Sequence, residues 1–265
     1  LSVHGVMKMN IKNEISWKIK LLLSFAGLAV FFLAFAFMKT TVFAGEVAPA
    51  GITSDSEVKN TDFWNIYNEL VETGSVTLVS GGEYYLPSPL HMKSGWSIDA
   101  TGATITCQGA IMINIDDEET AGFTASNVNY NITEKVTITG GTWVSSEKNG
   151  YTGTTFKFSH ASGIKFKNMT IKHANYAGHS IELVACKNCV IDNCVITALG
   201  KSTVNDKEEE MVQIDIATDA TSPFLSDYGL NNGATCKNIT VSNCTITGNR
   251  AVGTGWSYKD SKYAS

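Results

Sequence analysis

Ile164-Lys165-Phe166-Lys167-Asn168-Met169-Thr170-Ile171 alternates apolar and polar residues up to an asparagine, then closes on a further apolar residue. The pattern returns as Cys189-Val190-Ile191-Asp192-Asn193-Cys194-Val195-Ile196 and as Ile239-Thr240-Val241-Ser242-Asn243-Cys244-Thr245-Ile246. An earlier copy, Val136-Thr137-Ile138-Thr139-Gly140-Gly141-Thr142-Trp143, has Gly140 where the others have Asn. Period-two alternation marks a strand. The spacing is 28 residues from Gly140 to Asn168 and 25 from Asn168 to Asn193. Repeats of that length point to a solenoid. Each copy reads as one coil of a parallel β-solenoid, with strands hydrogen-bonded along the stack at about 4.8 Å. Gly or Asn at the shared corner tolerates a left-handed backbone. An inward asparagine there would bond to those above and below it as an amide ladder.

A second strand column precedes the asparagine column, at residues 156–158, 181–183 and 212–216. The 50 residues from Asn193 to Asn243 then form one coil with two insertions, 201–210 and 219–234. Long insertions on a regular scaffold are where function concentrates. Residues 61–71 have helical spacing behind a Thr or Asp cap. One amphipathic helix suffices to cover the first coil of a solenoid.

Gly81-Gly82-Glu83-Tyr84-Tyr85-Leu86-Pro87 follows, and then Leu90-His91-Met92-Lys93-Ser94-Gly95-Trp96-Ser97-Ile98-Asp99-Ala100-Thr101-Gly102-Ala103-Thr104-Ile105. Behind the capping helix, this run resembles the N-terminal segment of the pectate-lyase-like, right-handed parallel β-helix superfamily. That superfamily includes the family 28 glycoside hydrolases of the polygalacturonase type and several polysaccharide lyases. The resemblance spans about residues 62–256 and implies an all-β, single-stranded parallel β-helix. Six or seven coils fit after Ser75, and no cap follows residues 251–256, so the chain is expected to be a fragment of a longer protein.

Composition sets further bounds. The chain has 265 residues, 43% hydrophobic and 17% charged, with a formal charge of −5 and Arg250 as its single arginine. Nucleic acid is therefore not an expected partner. Lys12, Lys18 and Lys20 precede an apolar run over residues 21–38, and Val42-Phe43-Ala44 offers a cleavage site after Ala44. Residues 1–44 read as a signal peptide or a membrane anchor, residues 45–60 as a polar linker, and residues 61–265 as the β-helix domain. A secreted or cell-surface monomer is expected, touching membrane only through residues 21–38 if these stay uncleaved. The six cysteines, at 107, 186, 189, 194, 236 and 244, read as stacked small apolar side chains or, for Cys186 and Cys236, as a disulfide. Cys186 and Cys189 lack a second pair at zinc-ligand spacing. Asn168, Asn238 and Asn243 begin Asn-x-Thr triplets, but at the inward corner expected for Asn168 and Asn243 a glycan has no room.

Chemistry is expected on the outer face of the upstream strand column. His179-Ser180-Ile181-Glu182-Leu183 and Glu210-Met211-Val212-Gln213-Ile214-Asp215-Ile216 point Ser180, Glu182, Gln213 and Asp215 outward from neighbouring coils. Asp215 over Glu182 sets the two backbones about 4.8 Å apart, whereas Gln213 over Glu182 moves Asp215 to about 8 Å. Retaining glycosidases want carboxyls about 5–5.5 Å apart and inverting ones about 6.5–9.5 Å. Two close carboxylates push one pKa up, which makes an acid. The leading expectation is a glycoside hydrolase acting on an extended polysaccharide or wall glycan, with Glu182 and Asp215 as the acid–base pair. His179, Gln213, Tyr176, Tyr228, Arg250 and Trp256 would bind substrate, the aromatic ones by stacking on sugar rings. Of the family 28 pattern, Gln213-Ile214-Asp215 can hold the first position, and the Asp-Asp, Gly-His-Gly and Arg-Ile-Lys elements do not follow it. No cofactor is expected for a hydrolase. A polysaccharide lyase would use calcium, held by Glu182, Asp215 and Asp219, with Arg250 near the sugar. The third alternative is a non-catalytic surface adhesin or glycan-binding solenoid.

Overall fold

The computed structural model describes residues 45–50, 61–146, 154–173, 178–199, 210–248 and 250–255. These form three parallel sheets wound as six coils. The first sheet carries Ser75–Leu78, Ser97–Asp99, Thr137–Thr139, Lys165–Lys167, Lys187–Asp192 and Lys237–Ser242. The second carries Glu83–Leu86, Thr104–Gln108, Thr142–Ser146, Thr170–His173, Val195–Ala198 and Thr245–Thr247. The third carries Leu90–His91, Met112–Ile113, Phe156–Ser159, Ile181–Val184, Glu210–Asp215 and Arg250–Gly255. The repeat and both strand columns thus stand where the alternation puts them.

Register stacks like on like inside. Val76, Ile98, Ile138, Phe166, Ile191 and Val241 form the inward column of the first sheet. Leu90, Met112, Phe156, Ile181, Val212 and Val252 form that of the third. Edge-on rings knit the middle coils, with Trp143 against Phe156 at 5.7 Å and Phe156 against Phe166 at 5.6 Å. Each coil buries its apolar face only against its neighbours, so the column is a chain of nearest-neighbour contacts.

The corners are left-handed, and the asparagines differ from expectation there. Asn168, Asn193 and Asn243 have φ of 56°, 53° and 54°, yet all three are exposed. Met169, Cys194 and Cys244 turn into the core instead. The ladder forms on the outside: Asn193 Nδ2 donates to Asn168 Oδ1 at 2.9 Å, and Asn243 Nδ2 donates to Asp192 Oδ1 at 2.8 Å. Burial is therefore no bar to a glycan at Asn168 or Asn243. A second column at Asn188 and Asn238 repeats the arrangement at 3.0 Å.

Helix α1, Thr61–Thr73, closes the first coil with Phe63, Ile66 and Leu70 in the core. Asp62 is fully buried and accepts from Tyr85 N at 2.8 Å, capping an amide that faces no further strand on that side. Its other oxygen takes Ala50 N at 2.6 Å. Gly45–Val47 is not linker but a strand paired in parallel with Ser75–Leu78. It is held by Gly45 N to Glu69 Oε1 at 2.9 Å, a side-chain contact that a linker reading misses. The six cysteines are free thiols, so the Cys186–Cys236 disulfide is not formed. Cys186, Cys189 and Cys194 are buried small side chains, and burial drives the Cys186 thiol well up and that of Cys194 to about 11. Among the described residues no helix is long and apolar enough to cross a membrane. Residues 1–44, expected to be a leader or anchor, lie outside the described residues.

Candidate functional site

On the outer face of the third sheet, register sets His91, Ile113, Lys157, Glu182, Gln213 and Gly253 in one column. Gln213, not Asp215, lies over Glu182, and Asp215 lies over Val184. Of the two registers the wider one holds, with backbones of the two acids about 8 Å apart.

Two loops cover this face. Residues 216–234 contain one of the two expected insertions, 219–234. Residues 114–132 are the other cover, and the repeat shows them only as a stretched interval of 38 residues between Gly102 and Gly140. Ile115, Val128 and Ile132 of one loop pack with Leu225 and Leu230 of the other over Val184 and Ala185. His160, at a left-handed corner, ties both loops to the coil, with Nδ1 at 2.8 Å from Asn129 O and Nε2 at 3.0 Å from Leu230 O. Asn232 Nδ2 donates to Val128 O at 2.9 Å.

Under this cover the expected catalytic acids are sequestered. Glu182 is 5% exposed and Asp215 4%. Glu182 Oε2 lies 3.1 Å from Lys157 Nζ and accepts from Thr154 Oγ1 at 2.7 Å. Asp215 Oδ1 accepts from Gln213 Nε2 at 2.7 Å. Charges leave water only where such partners replace it. Glu182, Gln213 and Asp215 do face outward, but onto protein instead of solvent. His179 and Arg250 gather at the strand start around Glu210: His179 Nδ1 is 2.7 Å from Glu210 O, and Arg250 Nη1 is 2.9 Å from Glu210 Oε1. Arg250 is thus an exposed cross-strand partner of Glu210, away from the two acids. Tyr176 and Trp256 lie outside the described residues. Glu182, Asp215 and Asp219 make no metal cluster, and among the described residues no three His, Cys, Asp or Glu side chains do. Asp219 Oδ1 instead accepts from Ser226 Oγ at 2.8 Å and Asn231 Nδ2 at 2.6 Å.

Between the loops and the sheet a hollow of about 290 Å³ opens, lined by Ile113, Ile115, Lys157, Phe224, Asp227 and Tyr228. Lys157 forms its floor, with Nζ 3.5 Å from the Phe224 centroid. Burial pushes the Tyr228 phenol up, and the carboxylates of Asp117, Asp116 and Asp227 push it further. Asp116 pairs with His91 at the neighbouring column position. Burial alone would raise the Asp116 carboxyl, but the Glu119 N–H and His91 outweigh it and hold it low. The hollow therefore offers two aromatic rings, a neutralised ammonium floor and an acidic rim. Of its lining, only Tyr228 is among the expected site residues, as an aromatic suited to stacking on a sugar ring. Lys157 is outward in the alternation of its strand and is the signal that was there to read.

No protein-family model matches the chain, and no curated protein does. Among solved structures, the chain resembles PfbA, described as a surface adhesin of Streptococcus pneumoniae, with a TM-score of 0.59 and 21% identity over 81% of this chain and 54% of that one. A second PfbA structure gives a TM-score of 0.56 and 20% identity over 81% of this chain and 57% of the other. The chain thus spans a little over half the length of those chains. The likeness establishes the fold: a parallel β-helix.

Proposed function

We propose that this protein is a non-catalytic adhesin, a secreted or surface-displayed solenoid whose third-sheet hollow receives part of a host or wall glycan. The observation that carries the reading is the state of the two acids. A general acid or base must reach the proton it moves. Glu182 is held by Lys157 and Thr154, and Asp215 by Gln213, and both acids are buried. Their job is to anchor the covered face. The hollow beside them has what sugar binding uses: Phe224 and Tyr228 as ring faces and Asp227 as a hydroxyl acceptor. The surface-adhesin description of PfbA supports the same class.

The test takes the full chain through a panel of pectins, uronans, glycosaminoglycans and wall glycans, with and without calcium. No new reducing ends and no ultraviolet-absorbing unsaturated ends are expected, while at least one glycan is retained in a pull-down. Glu182→Gln and Asp215→Asn, measured where they remain folded, keep that binding, and Phe224→Ala with Tyr228→Ala weakens it about tenfold or more. Turnover of any polymer that disappears in Asp215→Asn would sink the adhesin reading in favour of a hydrolase.

A further inference from the structure

The first sheet carries an arrangement that the covered face does not explain. On its outer side Glu134, Ser162, Lys187 and Lys237 follow one another in register, so two lysines leave adjacent strands directly opposite each other. Their backbones are about 4.8 Å apart, and like charges in that relation destabilise a strand pair. Among the described residues no carboxylate is at ion-pair distance from either ammonium. Glu134 is two coils from Lys187 and three from Lys237, where it accepts from Ser162 Oγ. Tyr130, from loop 114–132, stands against both: Lys237 Nζ is 5.6 Å and Lys187 Nζ 5.9 Å from its ring centroid. Its hydroxyl donates to Thr235 O at 2.9 Å, which pins the ring in place. The ring face offsets part of the repulsion but brings no counter-charge. Lys165, exposed one coil below at the position opposite Val190, adds a third cation to the same face.

We propose that Lys187, Lys237 and Tyr130 form a binding surface for a polyanionic glycan, a linear sugar chain bearing carboxylate or sulfate groups. It deepens the adhesin reading and rests on it, naming the partner class at a face distinct from the hollow. The two lysines rise from neighbouring strands of the stack, so a linear polyanion laid along the stack would meet both ammonium groups in turn. Nucleic acid is disfavoured because three cations on a flat face of a chain with formal charge −5 make no basic track.

The experiment measures the full chain against a heparin fragment, polygalacturonate, a neutral galactan and duplex DNA across a salt series. The expected result is polyanionic-glycan binding that weakens with salt and falls about tenfold or more in Lys187→Ala/Lys237→Ala, with the slope of log affinity against log salt reduced by about one to two. Lys237→Gln alone raises the melting temperature, since it removes one of two facing like charges, and this shows that the loss of binding is not a loss of fold. Polyanion binding unchanged in the double lysine variant overturns the proposal, as does DNA bound as tightly through the same lysines. Neutral galactan bound without the polyanions overturns it while leaving the adhesin reading intact. Retention of none of the glycans in either experiment refutes both.

Discussion

Replacing Lys157 by Met removes the ammonium 3.1 Å from Glu182 Oε2 and leaves a 5%-exposed carboxylate with the Thr154 hydroxyl as its remaining named donor. Breaking a buried pair by removing one partner costs about 3–5 kcal/mol. Lys157 keeps a quarter of its side chain in contact with solvent, which places the expected loss near the lower end, at about 3 kcal/mol at neutral pH. Adding Glu182→Gln removes the stranded charge, and its amide oxygen still accepts from Thr154. The double variant should therefore recover most of the loss, with a coupling of about 2 kcal/mol. Urea unfolding of the four proteins of the cycle, followed by circular dichroism, measures it, provided that the slopes agree. Additive effects within about 0.5 kcal/mol would refute the claim that Glu182 is a sequestered structural acid. The case for a catalytic Glu182 would then reopen.

Two further tests follow from the corners and the buried histidine. His173 is buried, with its ring nitrogens at 2.7 Å from Thr155 Oγ1 and 3.0 Å from Gly178 O, an arrangement that suits the neutral imidazole. Burial lowers its pKa to about 4, the Gly178 carbonyl opposes this, and His179 adds to it. The unfolded chain therefore binds the proton first. Stability is full above about 6.5 and declines towards pH 4, by about 3 kcal/mol in all; His173→Gln should flatten that part of the stability–pH curve. Asn193 has φ of 53° and donates to Asn168. Asn193→Gly should be near neutral and Asn193→Ala should cost about 1–2 kcal/mol, because alanine gains nothing to offset the left-handed backbone; equal melting temperatures for the two would contradict this.

The repeat, the inward columns and the left-handed corners were legible in the chain because each depends on residues at most one coil away. Ile164, Phe166 and Ile171 declare a face by alternation alone, and Asn168 declares a corner by its backbone tolerance. The direction of the asparagine side chains was not legible, since a left-handed residue in a strand-like run does not keep the alternation of its neighbours. Nor was the register of Ile181–Val184 on Glu210–Asp215, because the lengths of the intervening loops hide which outward residue meets which.

Sequence by itself determined that this protein is a parallel solenoid with a capping helix and an outward line of polar residues on one sheet. The tertiary structure alone decided what those polar residues can do. Lys157 and Thr154 converge on Glu182, and two loops about a hundred residues apart in sequence pack over Val184, which Asp215 faces in register. Whether a carboxylate is a free acid or a buried anchor depends on what covers it, and that is set by long-range packing and not by the local pattern of the strand that carries it.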